Sequence, residues 1–320
     1  MSTPKISILM STYNETESDI RESVESMLRQ TFTDYEMIVV NDNPKREDVK
    51  AILDSYNDSR IIFYQNPTNI GLAMSMNKAA ELASKETNIF ARMDSDDIAE
   101  PTRLQKNYDV ITSGDYDFVC SRYSYIDEKS VNIRKNDKQV YYKPELLHHA
   151  ISLDPSIVHH PTVMFTREIF EKTGGYRDFP CSQDADLWLR MAENGCRFYM
   201  IDEELVRYRI NPNSVSNKKW FQQQLTCNYI FELSMERIRK NGHDSYSIDN
   251  YKVYLKEHGA GDITAENRLR NTYKKLGLAQ QYRNEGKLLI ALFLRITAFV
   301  ESPLMRKHYI QLKKKSSIIK

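Results

Sequence analysis

Short apolar runs punctuate the first hundred residues, and each is followed by a segment with helical spacing. Ile6-Ser7-Ile8-Leu9-Met10, Met37-Ile38-Val39-Val40, Ile61 to Tyr64 and the run ending at Met93 are too short for helices and suit pleated strands. Between the first two, Ile20, Val24, Met27 and Leu28 recur at helical intervals behind a cap at Ser18 or Asp19. A second helix is expected near Glu47 to Tyr56. A third follows the turn Asn69-Ile70-Gly71, with Leu72, Met76, Ala79, Ala80 and Ala83 available to pack. Four strands alternating with helices predict a parallel, doubly wound sheet buried on both faces.

The pattern loosens after residue 100. Pro101 opens a helix to about Thr112, Asp117 to Cys120 reads as a strand, and Tyr123 to Tyr142 is charged and irregular, fitting a hairpin or loop. Further short strands are expected at Thr162 to Phe165 and Arg197 to Ile201, with Leu205 to Arg209 and a Pro212-Asn213-Ser214 turn behind them. From Val215 onward the spacing is helical, at Trp220 to Lys240, Thr264 to Leu276 and Gly286 to Val300. The expected division is one α/β domain over residues 1–216, in halves 1–100 and 101–216, and a helical region over 217–320.

A chain of 320 residues accommodates that arrangement. A formal charge of +1 supplies no global basic field for nucleic acid. Cys120, Cys181, Cys196 and Cys227 are scattered without metal-ligand spacing, as in a reducing compartment. The run Ile6 to Met10 is too short for a signal peptide and no segment approaches a membrane span, so a cytoplasmic protein is expected. Beyond Pro303 the tail carries Arg306, Lys307, Lys313, Lys314, Lys315 and Lys320 with no acidic residue. Beside the apolar run Leu288 to Leu294, such a tail suits peripheral contact with an anionic membrane; a disordered tail is the competing reading. The C-terminal helices are also candidates for self-association.

The chemistry concentrates at strand ends. Asp94-Ser95-Asp96-Asp97 closes the fourth strand, where a doubly wound sheet opens its ligand crevice. Crowded carboxylates repel unless a cation lies among them, and hard oxygen ligands suit Mg²⁺ or Mn²⁺, which also bridge phosphates. A solvated acidic turn is the simpler reading. An EF-hand is excluded by Ile98 and Ala99 at positions needing an oxygen ligand and a glycine. Asp42, after the second strand, can accept from a nucleobase or ribose, or merely form an Asx turn before Pro44. Asp184 and Asp186 open a helix, where capping alone would explain them. The pairs His148-His149 and His159-His160 lack a tight zinc spacing. There is no Gly-x-Gly-x-x-Gly after the first strand and no Walker loop, which sets aside dinucleotide enzymes and P-loop ATPases.

Taken in order, Ser11-Thr12-Tyr13-Asn14-Glu15, Val40-Asn41-Asp42, Asn69-Ile70-Gly71, Asp94-Ser95-Asp96-Asp97 and Gln183-Asp184-Ala185-Asp186-Leu187-Trp188-Leu189-Arg190 resemble inverting glycosyltransferase family 2 over residues 4 to 216. The resemblance implies a GT-A fold, Rossmann-like with a mostly parallel central sheet flanked by helices, here with a helical C-terminal extension. It also implies a nucleotide-sugar donor, a UDP-sugar above all, and an Mn²⁺ or Mg²⁺ cofactor. Thr12, Tyr13, Glu15, Asp42, Asn69, Gly71, Asp94, Ser95 and Arg209 would bind the donor. Asp96, with Asp94 and Asp97, would hold the metal, and Asp184 would be the catalytic base. His160, Gln183 and Trp188 would face the acceptor, a glycan or lipid-diphosphate-linked glycan of a bacterial surface polysaccharide such as O-antigen or capsule.

Four features depart from the family's habits: Gln183 before the base, Asn211 where His is frequent, Met76 where Arg is frequent, and no Gln-x-x-Arg-Trp signature. The Met76 departure shifts neutralisation of the diphosphate towards the metal and Arg209, and the last argues against a processive synthase. Tyr208 to Asn211 with Ser214 and Ser216 resembles the loop that closes over the diphosphate. Two other classes remain in view: a non-catalytic sugar-nucleotide scaffold, and a pyrophosphorylase, which would usually show a Gly-rich basic loop after its first strand.

Overall fold

The structure, a computed structural model, describes residues 4–133, 140–210 and 219–318. The chain divides into two compact units, Met1–Ser214 and Val215–Lys320. In the first, the parallel strands β1 (Ile6–Thr12), β2 (Tyr35–Asn41), β3 (Ile61–Gln65) and β4 (Ile89–Asp94) lie in the order β3-β2-β1-β4. The chain steps outward from β1 to β3 and then crosses back to place β4 on the other flank of β1. That reversal parts the connecting loops and opens a crevice at the carboxyl ends of β1 and β4. Ser11 is in register with Asp94, and Thr12 with Asn41, so the motifs that end these strands share one edge.

The sheet then becomes mixed. Beyond β4 come β8 (Met164–Thr166), antiparallel to β4, then β6 (Phe118–Ile126), β9 (Phe198–Arg209) and the short β5 (Ile98–Ala99); β7 (Asn132–Ile133) forms a hairpin with β6. The pleat sorts side chains between two cores. Ile6, Ile8, Met10, Met37 and Val39 face α1 (Glu17–Leu28), α2 (Asp48–Asp54) and α4 (Arg103–Thr112). Leu9, Ile38, Val40, Phe90 and Phe118 face α3 (Leu72–Leu82), α5 (Pro144–Leu153), α6 (Arg167–Lys172) and α7 (Gln183–Glu193). With both faces covered, the mostly apolar strand interiors follow, with Ser7, Glu36 and Arg92 as buried exceptions.

Several expectations are corrected. The cap of α1 is Thr16, not Ser18 or Asp19; Asp19 is its reciprocal partner in a capping box. The hairpin expected within Tyr123 to Tyr142 is formed by β6 and β7, but its first arm, Tyr123 to Ile126, continues β6, because β9 pairs with that strand over its whole length with a bulge near Arg122. Arg197 to Ile201 and Leu205 to Arg209 are parts of a single strand for the same reason. The helix α5 was not anticipated; Leu147 and Ile151 bury its inner face. The expected turn Pro212-Asn213-Ser214 and residues Asn211, Ser214 and Ser216 lie outside the described residues.

The second unit holds α8 (Trp220–Arg239), α9 (Ile248–Glu257), α10 (Ile263–Asn284), α11 (Leu288–Glu301) and α12 (Pro303–Ile318). Phe221, Leu225 and Leu269 form a small core. The basic tail is helical through Ile318 rather than disordered. Lys315 anchors it: this buried ammonium donates to Ser234 Oγ at 2.6 Å and lies over the Phe231 ring.

Candidate active site

The turn leaving β1 is built around Glu15. Its Oε2 accepts from Thr12 Oγ1 at 2.7 Å and from the Tyr13 amide at 2.6 Å, while the Tyr13 ring stands exposed. Alongside, buried Asp42 acts as an internal anchor. Oδ1 accepts from Asn66 Nδ2 (2.8 Å) and the Ile70 amide (2.9 Å), and Oδ2 accepts from the Gly71 amide (2.8 Å). Gly71 has φ +83°, a left-handed conformation that favours glycine, and exposed Asn69 also accepts from its amide. Asp42 therefore shapes the loop entering α3, which an Asx turn before Pro44 would not do.

At the end of β4 a carboxylate cluster meets buried cations. Arg92, wholly buried, pairs with Asp94 and reaches Leu9 O at 3.3 Å. Arg103, equally buried, donates from Nη2 to Arg92 O at 2.5 Å. Burial, and then Arg92, lowers the Arg103 guanidinium to about 10. Asp96 is half-buried, and burial followed by the charges of Asp94, Glu15 and Asp19 pushes its carboxyl up to about 7. Asp97 is fully buried and pushed well above the carboxylate range by burial, then by Asp96 and Asp94; its Oδ2 has no hydrogen-bond partner. Burial first, and mutual repulsion after it, thus disfavour full ionisation of this cluster.

Other residues expected here serve the frame. Ser95 is buried and its Oγ donates to Ser11 O at 2.9 Å, which ties β4 to β1 instead of facing a donor. Arg209 is also enclosed. Nε donates to Asp96 O at 2.7 Å and lies 3.3 Å from Asp19 Oδ1, Nη1 donates to Asp127 O and Ser130 Oγ, and Nη2 donates to Glu22 Oε2 at 2.8 Å. Burial acts upward on Glu22, but Ser130 and Arg209 hold its carboxyl below the usual range. With its donors engaged, the guanidinium does not reach a diphosphate without breaking these bonds. Its role as folded is to fasten the acidic turn.

On the facing side, α7 begins after Ser182, whose φ of +57° turns the chain sharply, and Asp184 lies in its first turn. Asp184 Oδ1 accepts from the Ala185 amide at 2.9 Å, and burial pushes its carboxyl up to about 6. Asp186 differs: fully buried, it accepts from Arg190 Nε at 2.8 Å, and Arg190 in turn binds Thr173 O and Gly175 O. It locks the helix to the preceding loop. The β9 residue Tyr208 joins the two halves of the site. Burial raises its phenol, and the charges of Asp97, Asp94, Asp96 and Asp184 add to that rise, while its ring packs against Tyr123, Tyr125 and His159.

The acceptor-side expectations separate. Trp188 is fully buried between Phe118 and Phe165, so its large ring serves packing and not an acceptor face. Gln183 is buried at the start of α7. His160 bonds Tyr176 Oη at 2.7 Å; burial and Arg92 push its imidazole well below its usual range, keeping it neutral. His148 bonds Ala192 O from α5, apart from any zinc arrangement. Among the described residues, no group of three or more His, Cys, Asp or Glu is arranged to hold a metal ion. Sequence reasoning missed Arg92, Arg103 and Glu22. An arginine inside an otherwise apolar strand was the available signal for the first.

Residues 7–174 match the sequence model of glycosyl transferase family 2. The chain belongs to that family. As a glycosyltransferase it carries the inversion of anomeric configuration general to family 2. The chain is 37% identical over 216 residues to an uncharacterized glycosyltransferase of Methanocaldococcus jannaschii, covering 67% of this chain and 73% of the relative. It is 32% identical over 198 residues to the O-antigen biosynthesis glycosyltransferase WbnJ of Escherichia coli (60% and 74% covered). The putative teichuronic acid biosynthesis glycosyltransferase TuaG of Bacillus subtilis is 30% identical over 221 residues (68% and 83%). Among solved structures, S. aureus TarS 1-349 in complex with UDP-GlcNAc superposes with TM-score 0.60 at 17% identity, covering 98% of this chain and 89% of that one. The architecture of this family 2 glycosyltransferase is accordingly the GT-A fold.

Proposed function

We propose that this glycosyltransferase moves a sugar from a UDP donor to a hydroxyl of a lipid-linked glycan acceptor in bacterial surface-polysaccharide synthesis. It would work on the cytoplasmic face of the membrane. The observation that carries this reading is the carboxylate cluster Asp94, Asp96 and Asp97 at the end of β4, in register with the Thr12–Glu15 turn that leaves β1, at the edge where the sheet order reverses. The O-antigen and teichuronic acid relatives support the pathway class, and the UDP-GlcNAc complex of TarS supports the donor class.

Mg²⁺ and Mn²⁺ are commonly held by one or two carboxylates, with substrate phosphates completing the shell. Among the described residues no three such groups form a cage, but Asp94 and Asp96 would suffice for a site that substrate phosphates complete, with Asp96 as its principal ligand. Bound there, the ion would offset the charge developing on the diphosphate. The chain's own groups do the rest. Thr12, Tyr13 and Glu15 form one wall of the nucleotide pocket, and the loop that Asp42 holds, with Asn69 and Gly71, forms another. Asp184 accepts the proton of the acceptor hydroxyl as its oxygen attacks the anomeric carbon, the bond to the diphosphate breaks on the opposite face, and configuration inverts.

The test is calorimetric binding and slow hydrolysis across a panel of nucleotide sugars, with and without Mn²⁺, beside Asp96→Ala. One UDP-sugar is expected to bind in a metal-dependent manner that Asp96→Ala abolishes. Metal-independent binding, equal in the variant, would sink the metal assignment, and no binding of any nucleotide sugar would sink the transferase reading.

A further inference from the structure

The helix α11 carries an apolar face that the second unit does not cover. Its buried residues are the small Ala291 and Ala298, on the side that packs against α10. On a helix of about 3.6 residues per turn, Leu288, Leu289, Leu292, Phe293, Ile296 and Val300 fall within an arc of roughly 140° on the other side. All six are exposed, Leu289 at 84% and Phe293 at 65%. A contiguous stripe of large apolar side chains in water marks an interaction site, because leaving it solvated forfeits the free energy of its burial.

The neighbouring helix indicates what covers it. α12 contains no acidic residue, and Arg306, Ile310, Lys313 and Lys314 share one exposed face at helical spacing. No single helix among the described residues is long and apolar enough to cross a membrane, and α11 and α12 meet at a bend of 106°. An apolar helix of 14 residues turned sharply into a basic one suits lying in an interface rather than spanning it.

We infer that α11 and α12 form a docking surface for an anionic phospholipid bilayer. The Leu289–Phe293–Ile296 stripe enters the acyl boundary, and Arg306, Lys313 and Lys314 meet the phosphates. This extends the peripheral-membrane part of the reading above and rests on it for its purpose, while its test is independent of donor chemistry.

The full chain is floated with vesicles of phosphatidylcholine alone, and with vesicles of equal parts phosphatidylcholine and phosphatidylglycerol. The wild type is expected to float with the anionic vesicles only, and added salt should weaken that binding. The double variant Leu289→Ser/Phe293→Ser should lose most flotation, and Lys313→Gln/Lys314→Gln should bind about tenfold or more weakly. Both variants should keep the wild-type circular dichroism spectrum and affinity for UDP-sugar. Flotation undiminished in Leu289→Ser/Phe293→Ser overturns the proposal. So does a wild type that does not float but sediments as a dimer that this variant splits, since a second copy then covers the stripe. Normal flotation with no binding of nucleotide sugars would refute the transferase reading and leave the docking surface standing.

Discussion

The backbone amide of Arg209 donates to Asp97 Oδ1 at 2.8 Å, binding the end of β9 to the acidic turn 112 residues earlier. This bond gives Asp97 a structural task distinct from its neighbours. Asp97→Asn keeps an acceptor for the amide and removes a charge from the cluster, whereas Asp97→Ala leaves a buried donor unpaired. The alanine variant should lose about 1–3 kcal/mol of stability, and the asparagine variant should match or exceed the wild type in urea denaturation. Equal losses in the two variants would refute this assignment.

A second structural prediction concerns Arg92, whose wholly buried guanidinium pairs with Asp94. Arg92→Met fills a similar volume but strands the Asp94 charge at the base of the site. Removing one partner of a buried pair typically costs about 3–5 kcal/mol. The lower end applies here because Asp94 keeps some solvent contact, its side chain being 24% exposed. Arg92→Lys should not restore stability, since a single ammonium cannot reproduce the fork that reaches both Asp94 and Leu9 O. A urea midpoint for Arg92→Met within error of the wild type would show that the pair contributes nothing.

These two relationships mark where sequence reading succeeds and where it stops. The parallel half was legible because β1, β2 and β4 are mostly apolar, Ser7, Glu36 and Arg92 apart, and end abruptly in polar residues, so pattern and fold express the same burial. Asp94 and Asp42 could be placed at a crevice edge for that reason alone. Asp184 could not: in sequence it is an acidic residue in a first helical turn, where capping alone would explain it, and its burial comes from the fold. Arg209 was legible as a cation near the site but not as an enclosed one, because Glu22, Asp127 and Ser130 reach it from distant segments. Tyr123 to Ile126 were legible as one arm of a hairpin, here β6 with β7, but not as the continuation of the strand from Phe118, because that continuity comes from pairing with the distant β9.

Asp42 offers a test of the donor wall. Its two oxygens hold the amides of Ile70 and Gly71, so Asp42→Asn sets an amide donor against one of those N–H groups or against Asn66. Faster hydrogen exchange over residues 66–72 is expected, with UDP affinity reduced about tenfold, equivalent to the loss of roughly one charge-assisted hydrogen bond. Unchanged exchange with weakened UDP binding would assign Asp42 directly to the nucleotide, while no change in either would remove it from the site.

The role of Asp184 can be separated from helix capping by measuring activity and stability together. Burial raises its carboxyl to about 6, so the basic form required for proton acceptance is lost as pH falls through that value. Transfer should therefore decline below about pH 6 with unit slope, and Asp184→Asn should lower it by about 10²–10⁴-fold while donor affinity persists. Stability moves in the opposite sense. A carboxyl whose folded value is raised favours the folded state fully below its unfolded value near 4 and loses that contribution as pH rises through about 6. At pH 7 to 8, Asp184→Asn should accordingly melt at the same temperature as the wild type or higher. A favourable charge at the α7 N-terminus would give the reverse, a lower melting temperature with transfer largely retained. Melting curves and initial rates on the same preparations distinguish the two, because only the base assignment couples a large kinetic loss to an unreduced melting temperature.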